Sequence, residues 1–295
     1  MKSITADFSL LLTAIIWGTG FVATQYAFDS GMSTSLILLF RFSFASLTIT
    51  VFIFKKIKEI TKEELKMGLV AGTILFLAFY FQTFGLRFTT PSNNAFITAT
   101  NVIMVPFITW VVFKKKPKLR FFLLGFTTFI GIVFLSYLPG KGLNFTKGDI
   151  YTLFCAFLFA LHISYLDIVA KKVDAVKLTF LQMTFAALFS LIAFTTIGQF
   201  SIKDVNFSQG ILPVLYLGLF STLLCFFIQT KAQKYTTSTK AAIFLSTESL
   251  FGAFFSVILQ LESFTINMLI GGVFILFSIF ASELRIKKNQ LFKSF

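Results

Sequence analysis

Charge is scarce in this chain. Only 13% of its 295 residues are Asp, Glu, Lys or Arg, about half the share of a soluble domain. Histidine occurs once and cysteine twice, which removes most of the chemistry a hydrolase or metalloenzyme needs. HExxH, GxSxG and any cluster of acids or nucleophile and base at helical spacing are absent, so the chain is expected not to be an enzyme. Cys155 and Cys225 both lie in apolar segments without CxxC or Cys/His spacing, which fits core filling and neither a metal site nor a disulfide framework. No soluble stretch is available for a Walker A loop, so ATP hydrolysis is excluded, and no cofactor or metal is expected.

What the chain has instead is apolar bulk. Hydrophobic residues make up 56%, mean hydropathy is +0.86, and 44 residues are Phe. That surface is a hazard in water and ordinary in hydrocarbon, so the partner solvent is a lipid bilayer. The net charge of +14 sits in short Lys/Arg clusters between apolar runs, not interleaved with aromatics on one face. Cytoplasmic retention explains this and nucleic-acid binding is not implied. The apolar run after Lys2 is about twenty residues long and lacks a small-residue cleavage pattern, so it reads as a first transmembrane helix.

Runs of about twenty apolar residues, the length that crosses the hydrocarbon layer, begin near Phe8, Ser33, Met67, Pro91, Leu119, Asp149, Ala175, Gly210, Ser238 and Thr265. They are continuous, not alternating, and a spanning segment must satisfy its own backbone, so ten helices are predicted and not a barrel. Connections on one side, with both termini, carry 21 Lys and Arg; those on the other carry 4, namely Arg87, Lys141, Lys147 and Lys203. The asymmetry predicts cytoplasmic N and C termini.

The chain also repeats itself. "YFQTFGLRFTTPSNNAFITATN" (80–101) aligns with "FIQTKAQKYTTSTKAAIFLSTE" (227–248) at an offset of 147. The offset pairs Gln82 with Gln229, Thr90 with Thr237, Thr100 with Thr247 and Asn101 with Glu248. Five spans per half, an odd number, insert the second half upside down. The expected architecture is therefore an all-α membrane protein of two inverted five-helix halves, residues 1–140 and 141–295, with a substrate site near the midplane and alternating access.

In the stretches "AIIWGTGFVATQYA" (14–27), "LLFRFSFASL" (38–47), "AFITATNVIMVPFITWVVF" (95–113) and "TESLFGAFFSVILQLESFTINMLIGGVFILFS" (247–278), the chain resembles the drug/metabolite transporter superfamily, specifically the EamA-type ten-helix carriers. The resemblance covers nearly the whole chain. It implies secondary transport or facilitated diffusion of small metabolites, often amino acids, commonly as export across the cell membrane. In such proteins an acidic residue commonly follows the fourth and ninth spans. Glu262 fits the second place, but its partner under the offset is Lys115.

Polar side chains at bilayer depth cost about 3 kcal/mol on insertion scales, so each is a candidate site residue. Glu248 lies near the centre of the ninth span and Asn101 near that of the fourth; both face the midplane in this reading, or else they join helices by hydrogen bonds. Arg41 is the basic residue at mid-depth, and Glu248 is its candidate partner. Pairing keeps Glu248 charged, and without it the acid is available to exchange protons. Trp17, at mid-depth instead of the interface, is a candidate cavity wall. His162 is a candidate proton-path residue or a satisfied core histidine. Tyr80 completes the set, with Gln82, Thr98, Gln229 and Thr247 as further cavity candidates. Asp167, one helical turn before Lys171, reads as structural.

Arg41, Glu248, Asn101 and aromatic walls suit a solute carrying both charges. The leading expectation is a small-molecule carrier for amino acids or related compounds, with a proton or other ion as a potential coupling partner and the protein monomeric or homodimeric. The alternative is a multidrug/proton antiporter for lipophilic cations; a non-transporting scaffold or enzyme is remote. Phe- and Lys-rich usage points to an AT-rich bacterial source.

Overall fold

The computed structural model describes residues 3–136, 146–196, 202–260 and 263–283. Among them, eight helices are long and apolar enough to cross a membrane, and two shorter apolar helices cover Leu119–Phe134 and Ile266–Ser282. In chain order the helices are α1 (Ser3–Asp29), α2 (Thr34–Ile53), α3 (Lys62–Leu86), α4 (Pro91–Ala99), α5 (Asn101–Val111) and α6 (Leu119–Ser136). There follow α7 (Lys147–Val169), α8 (Ala175–Thr196), α9 (Phe207–Tyr216), α10 (Cys225–Ala232), α11 (Ser238–Leu245), α12 (Glu248–Ile258) and α13 (Ile266–Glu283). Each expected span is occupied by helix. Lys141, Glu262 and the basic cluster after residue 283 fall outside the described residues.

Hydroxyl side chains start the helices because the first turn leaves backbone N–H groups unpaired. Ser33, Thr61, Thr90, Thr146 and Thr237 each accept a backbone N–H of the first turn, and Thr61 with Glu64 and Thr146 with Asp149 form reciprocal capping boxes. Thr90 and Thr237, mates at the repeat offset, cap α4 and α11.

Three features depart from plain spanning helices. The fourth span breaks at Thr100 and the ninth at Ser246 and Thr247. Thr100 has φ −62° and ψ −12°, Thr247 φ −65° and ψ −9°. Each hydroxyl donates to the carbonyl three residues earlier at 2.6 Å, on Ile97 and on Phe244. The eighth span contains a π-helical segment, Leu217–Leu224, between α9 and α10, the kind of widening that recurs at functional sites.

The packing is exchanged between the halves. α3 lies against α7 and α8, while α1 lies against α9 and α10 and α2 against the π-helical segment. α2 packs on α8, and α6 on α13. α4 meets α12 and α5 meets α11, so the broken spans run antiparallel. Their contacts close at both ends: Ser92 Oγ lies 3.0 Å from Ser256 Oγ, and Thr109 Oγ1 lies 3.0 Å from Ser238 Oγ.

Charge gathers at the helix ends. Asp167, at the end of α7, accepts Lys171 at 2.6 Å and Lys115 at 3.3 Å, matching the structural reading of Asp167 and giving Lys115 a partner. Asp7 near the start of α1 pairs with Lys240 at 2.7 Å. At the opposite end of α7, Asp149 accepts Asn93 Nδ2 at 2.6 Å and Thr89 Oγ1 at 3.1 Å.

Candidate functional site

Seven of the expected spans meet around a cavity of about 30 Å³, room for roughly one or two water molecules. Its polar wall is Arg41 from α2, Gln82 from α3, Asn101 from the start of α5, Gln229 from α10 and Glu248 from the start of α12. Its aromatic wall is Trp17 and Phe21 from α1, Phe79 from α3 and Phe159 from α7. Ser221, in the π-helical segment, lines it as well. The two helix breaks make Asn101 and Glu248 the first residues of their half-helices, and tight-turn bonds close the breaks, from Ile103 N–H to the Thr100 carbonyl at 3.1 Å and from Ser249 N–H to the Ser246 carbonyl at 3.2 Å.

Arg41 is 3% exposed, and its partners are neutral. Its Nε donates to Thr222 Oγ1 at 2.5 Å, one terminal nitrogen donates to Ser221 Oγ at 3.0 Å, and the guanidinium carbon lies 4.0 Å from the centroid of the Phe79 ring. Both hydroxyls come from the π-helical segment. Trp17 Nε1 donates to the Ser221 carbonyl at 2.8 Å, and the Thr19 hydroxyl bonds that of Tyr216. The segment is thus held from α1 and α2 together.

Glu248 is 5% exposed, and among the described residues no ion pair or side-chain hydrogen bond engages its carboxylate. Arg41, its candidate partner from the sequence, is farther away than the 4.0 Å of an ion pair. A guanidinium and a carboxylate therefore face one desolvated space without neutralising each other. Such charges are costly unless water or a ligand supplies the counter-charge.

The other candidates divide. Trp17, Asn101, Gln82 and Gln229 line the cavity together with Arg41 and Glu248. Thr98 stands behind Gln82, whose Nε2 it accepts at 3.2 Å, and Thr247 spends its hydroxyl on the Phe244 carbonyl. Tyr80 lies outside the lining, among Phe76, Phe81 and Phe84. His162 is also outside it and fully buried. Its Nε2 is 3.1 Å from Gln182 Oε1, and Gln182 Nε2 donates to Thr230 at 3.2 Å. Ser221, Thr222 and Gln233 escape sequence reading, because serine, threonine and glutamine carry no charge to mark them.

Three comparisons bear on this geometry. The profile of the EamA-like transporter family matches residues 4–137 and 146–283. An "uncharacterized transporter" of Archaeoglobus fulgidus is 33% identical over 286 residues, covering 97% of this chain and 88% of its own. A second from that organism, with the same description, is 24% identical over 274 residues, covering 90% and 92%. Both relatives are archaeal. A solved structure described as the crystal structure of a protein has a TM-score of 0.77 at 14% identity, over 96% of this chain and 97% of its own; this is a likeness of fold alone.

Proposed function

We propose that this chain, which belongs to the EamA-like transporter family, carries small zwitterionic metabolites such as amino acids, outward across the cell membrane. The family makes it a multi-pass membrane transporter and not an enzyme. The observation that carries the substrate class is the cavity shared by Arg41 and Glu248, which lack an ion pair with each other. A carboxylate on Arg41 and an ammonium on Glu248 supply the two missing counter-charges at once.

Alternating access between inverted halves, residues 1–140 and 141–295, is the mechanism we assign. Two separate family matches of similar length support the duplication. The helix breaks at repeat mates Thr100 and Thr247, and the antiparallel crossing of α4–α5 with α11–α12, support the inversion. A cavity of about 30 Å³ is smaller than an amino acid, so loading requires the halves to part on one side. Ten crossings with both termini in the cytoplasm complete this reading.

A second reading, proton-coupled export of lipophilic cations, has support in the aromatic wall and the unpaired acid. Arg41 weighs against it, because a lipophilic cation brings no carboxylate to meet the buried guanidinium. Flux of the twenty radiolabelled amino acids into proteoliposomes, beside ethidium flux, tests both. Amino-acid flux supports the carrier; no flux with any of the twenty removes the substrate class.

A further inference from the structure

Gln229 lines the cavity, and a buried relay fixes which end of its amide faces outward from that relay. The oxygen and nitrogen of an amide are told apart by their partners. The Ile163 carbonyl only accepts, so the atom 2.8 Å from it must be Gln233 Nε2. Gln233 Oε1 then requires a donor, which is Gln229 Nε2 at 3.0 Å. The sequence of obligations ends at Gln229 Oε1, a buried acceptor without a partner.

Neither amide can turn round without penalty. Rotating Gln229 sets two carbonyl oxygens against each other, and rotating both sets Gln233 Oε1 against the Ile163 carbonyl. Gln229 is 1% exposed and Gln233 fully buried, so the unmet acceptor is held in place by burial and by its neighbours. The Glu248 carboxylate borders the same cavity, and Asn101, also on its wall, has an Oδ1 without a partner.

We propose that Gln229 and Glu248 form a subsite for a cationic group, with Gln233 as the residue that positions the Gln229 oxygen. One carboxylate with neutral carbonyl oxygens matches a single positive charge. Among the described residues no three His, Cys, Asp or Glu come together, as a zinc or calcium site would need. The group is an ammonium or a partly dehydrated monovalent metal ion. Its ammonium form rests on the carrier reading above; its metal-ion form does not.

The test uses the full chain with Trp110→Phe, which leaves Trp17 on the cavity wall as the sole tryptophan. Its fluorescence is followed during titration with sodium chloride or methylammonium chloride against choline chloride at constant ionic strength. The expected result is a saturable change with at least one of the two. The midpoint rises about tenfold or more in Gln229→Leu and in Glu248→Gln, the loss of one charge-assisted contact. Gln233→Leu weakens the response similarly, whereas Gln233→Glu, whose buried acid in its protonated form donates O–H to the Ile163 carbonyl and accepts Gln229 Nε2, retains it. Should Gln229→Leu fail to fold, Gln229→Met, which removes the same oxygen with less change of shape, is expected to raise the midpoint by the same factor.

A sodium response identifies a free ion, and a response to methylammonium alone identifies a substrate ammonium. No saturable change with either ion, or midpoints unmoved in both Gln229→Leu and Glu248→Gln, overturns the subsite. Amino-acid flux without a cation response removes this subsite and leaves the carrier. A cation response without amino-acid flux leaves the subsite and removes the amino-acid class.

Discussion

Arg41 and Thr222 are joined by a 2.5 Å hydrogen bond from the guanidinium Nε to a hydroxyl in the π-helical segment. That contact, with Ser221 alongside at 3.0 Å, holds the guanidinium away from Glu248. A lysine keeps the charge but not the planar fork that engages two hydroxyls and the Phe79 ring together. Arg41→Lys is therefore expected to fold and to lower flux of carboxylate-bearing solutes by about tenfold or more, the worth of one charge-assisted contact. Proteoliposome flux, with elution profile and melting temperature as folding controls, checks it.

Glu248→Gln preserves shape and removes the charge that an ammonium would meet. Apparent KM for amino acids should rise by about tenfold or more, while deaminated analogues are affected less. If the carboxylate also carries the coupling proton, accumulation driven by a pH gradient disappears in this variant while downhill exchange persists. A pH response equal to that of the wild type excludes Glu248 as the carrier of protons.

His162 bonds Gln182 away from the cavity, so its replacement should act on stability and not on transport pH dependence. His162→Leu leaves Gln182 Oε1 without a buried partner, a cost of about 1–3 kcal/mol. Thermal unfolding should show the loss, and the pH profile of flux should keep its shape.

The Asp7–Lys240 pair joins the start of α1 to the start of α11 with Asp7 only 1% exposed. Each substitution removes a short charged hydrogen bond, so Asp7→Asn and Lys240→Met are each expected to destabilise by about 1.5–3 kcal/mol. The double variant should lose less than the sum. A double-mutant cycle in thermal unfolding measures the difference.

Gly18 sits where α1 crosses α12. A Cβ there would stand 2.8 Å from Phe251 Cβ and 2.9 Å from the Gly252 nitrogen, and backbone cannot yield as a side-chain tip can. Gly18→Ala should cost about 1–3 kcal/mol by overpacking. At Gly272 the nearest atom is Leu250 Cδ1 at 3.1 Å, the end of a flexible side chain, so Gly272→Ala is expected to be milder. Paired melting curves distinguish the two.

Helix positions were legible because a bilayer leaves few options. An apolar run of spanning length must satisfy its own backbone, so the runs expected from Pro91, Leu119, Ala175 and Ser238 start as helices at those residues. At Phe8 and Met67 the helices begin earlier, at Ser3 and Lys62, because polar first turns extend helix beyond the apolar run. The membrane class followed from apolar composition, the transporter class from the internal repeat and the EamA resemblance, and Glu248 with Arg41 as residues of note from the cost of charge in hydrocarbon.

Residue-by-residue hydropathy could not reveal the rest. The breaks at Thr100 and Thr247 and the π-helical widening at Leu217–Leu224 are backbone choices that depend on neighbouring helices, and threonine and leucine runs look the same with or without them. Gln233 was invisible because its role lies in a bond to Ile163, 70 residues away. Whether Arg41 pairs with Glu248 was likewise undecidable from composition. The sequence determined that both charges lie within apolar runs, where a charge is costly in a bilayer. The tertiary structure decided that they stay apart, because Ser221 and Thr222 converge on the guanidinium before the carboxylate can.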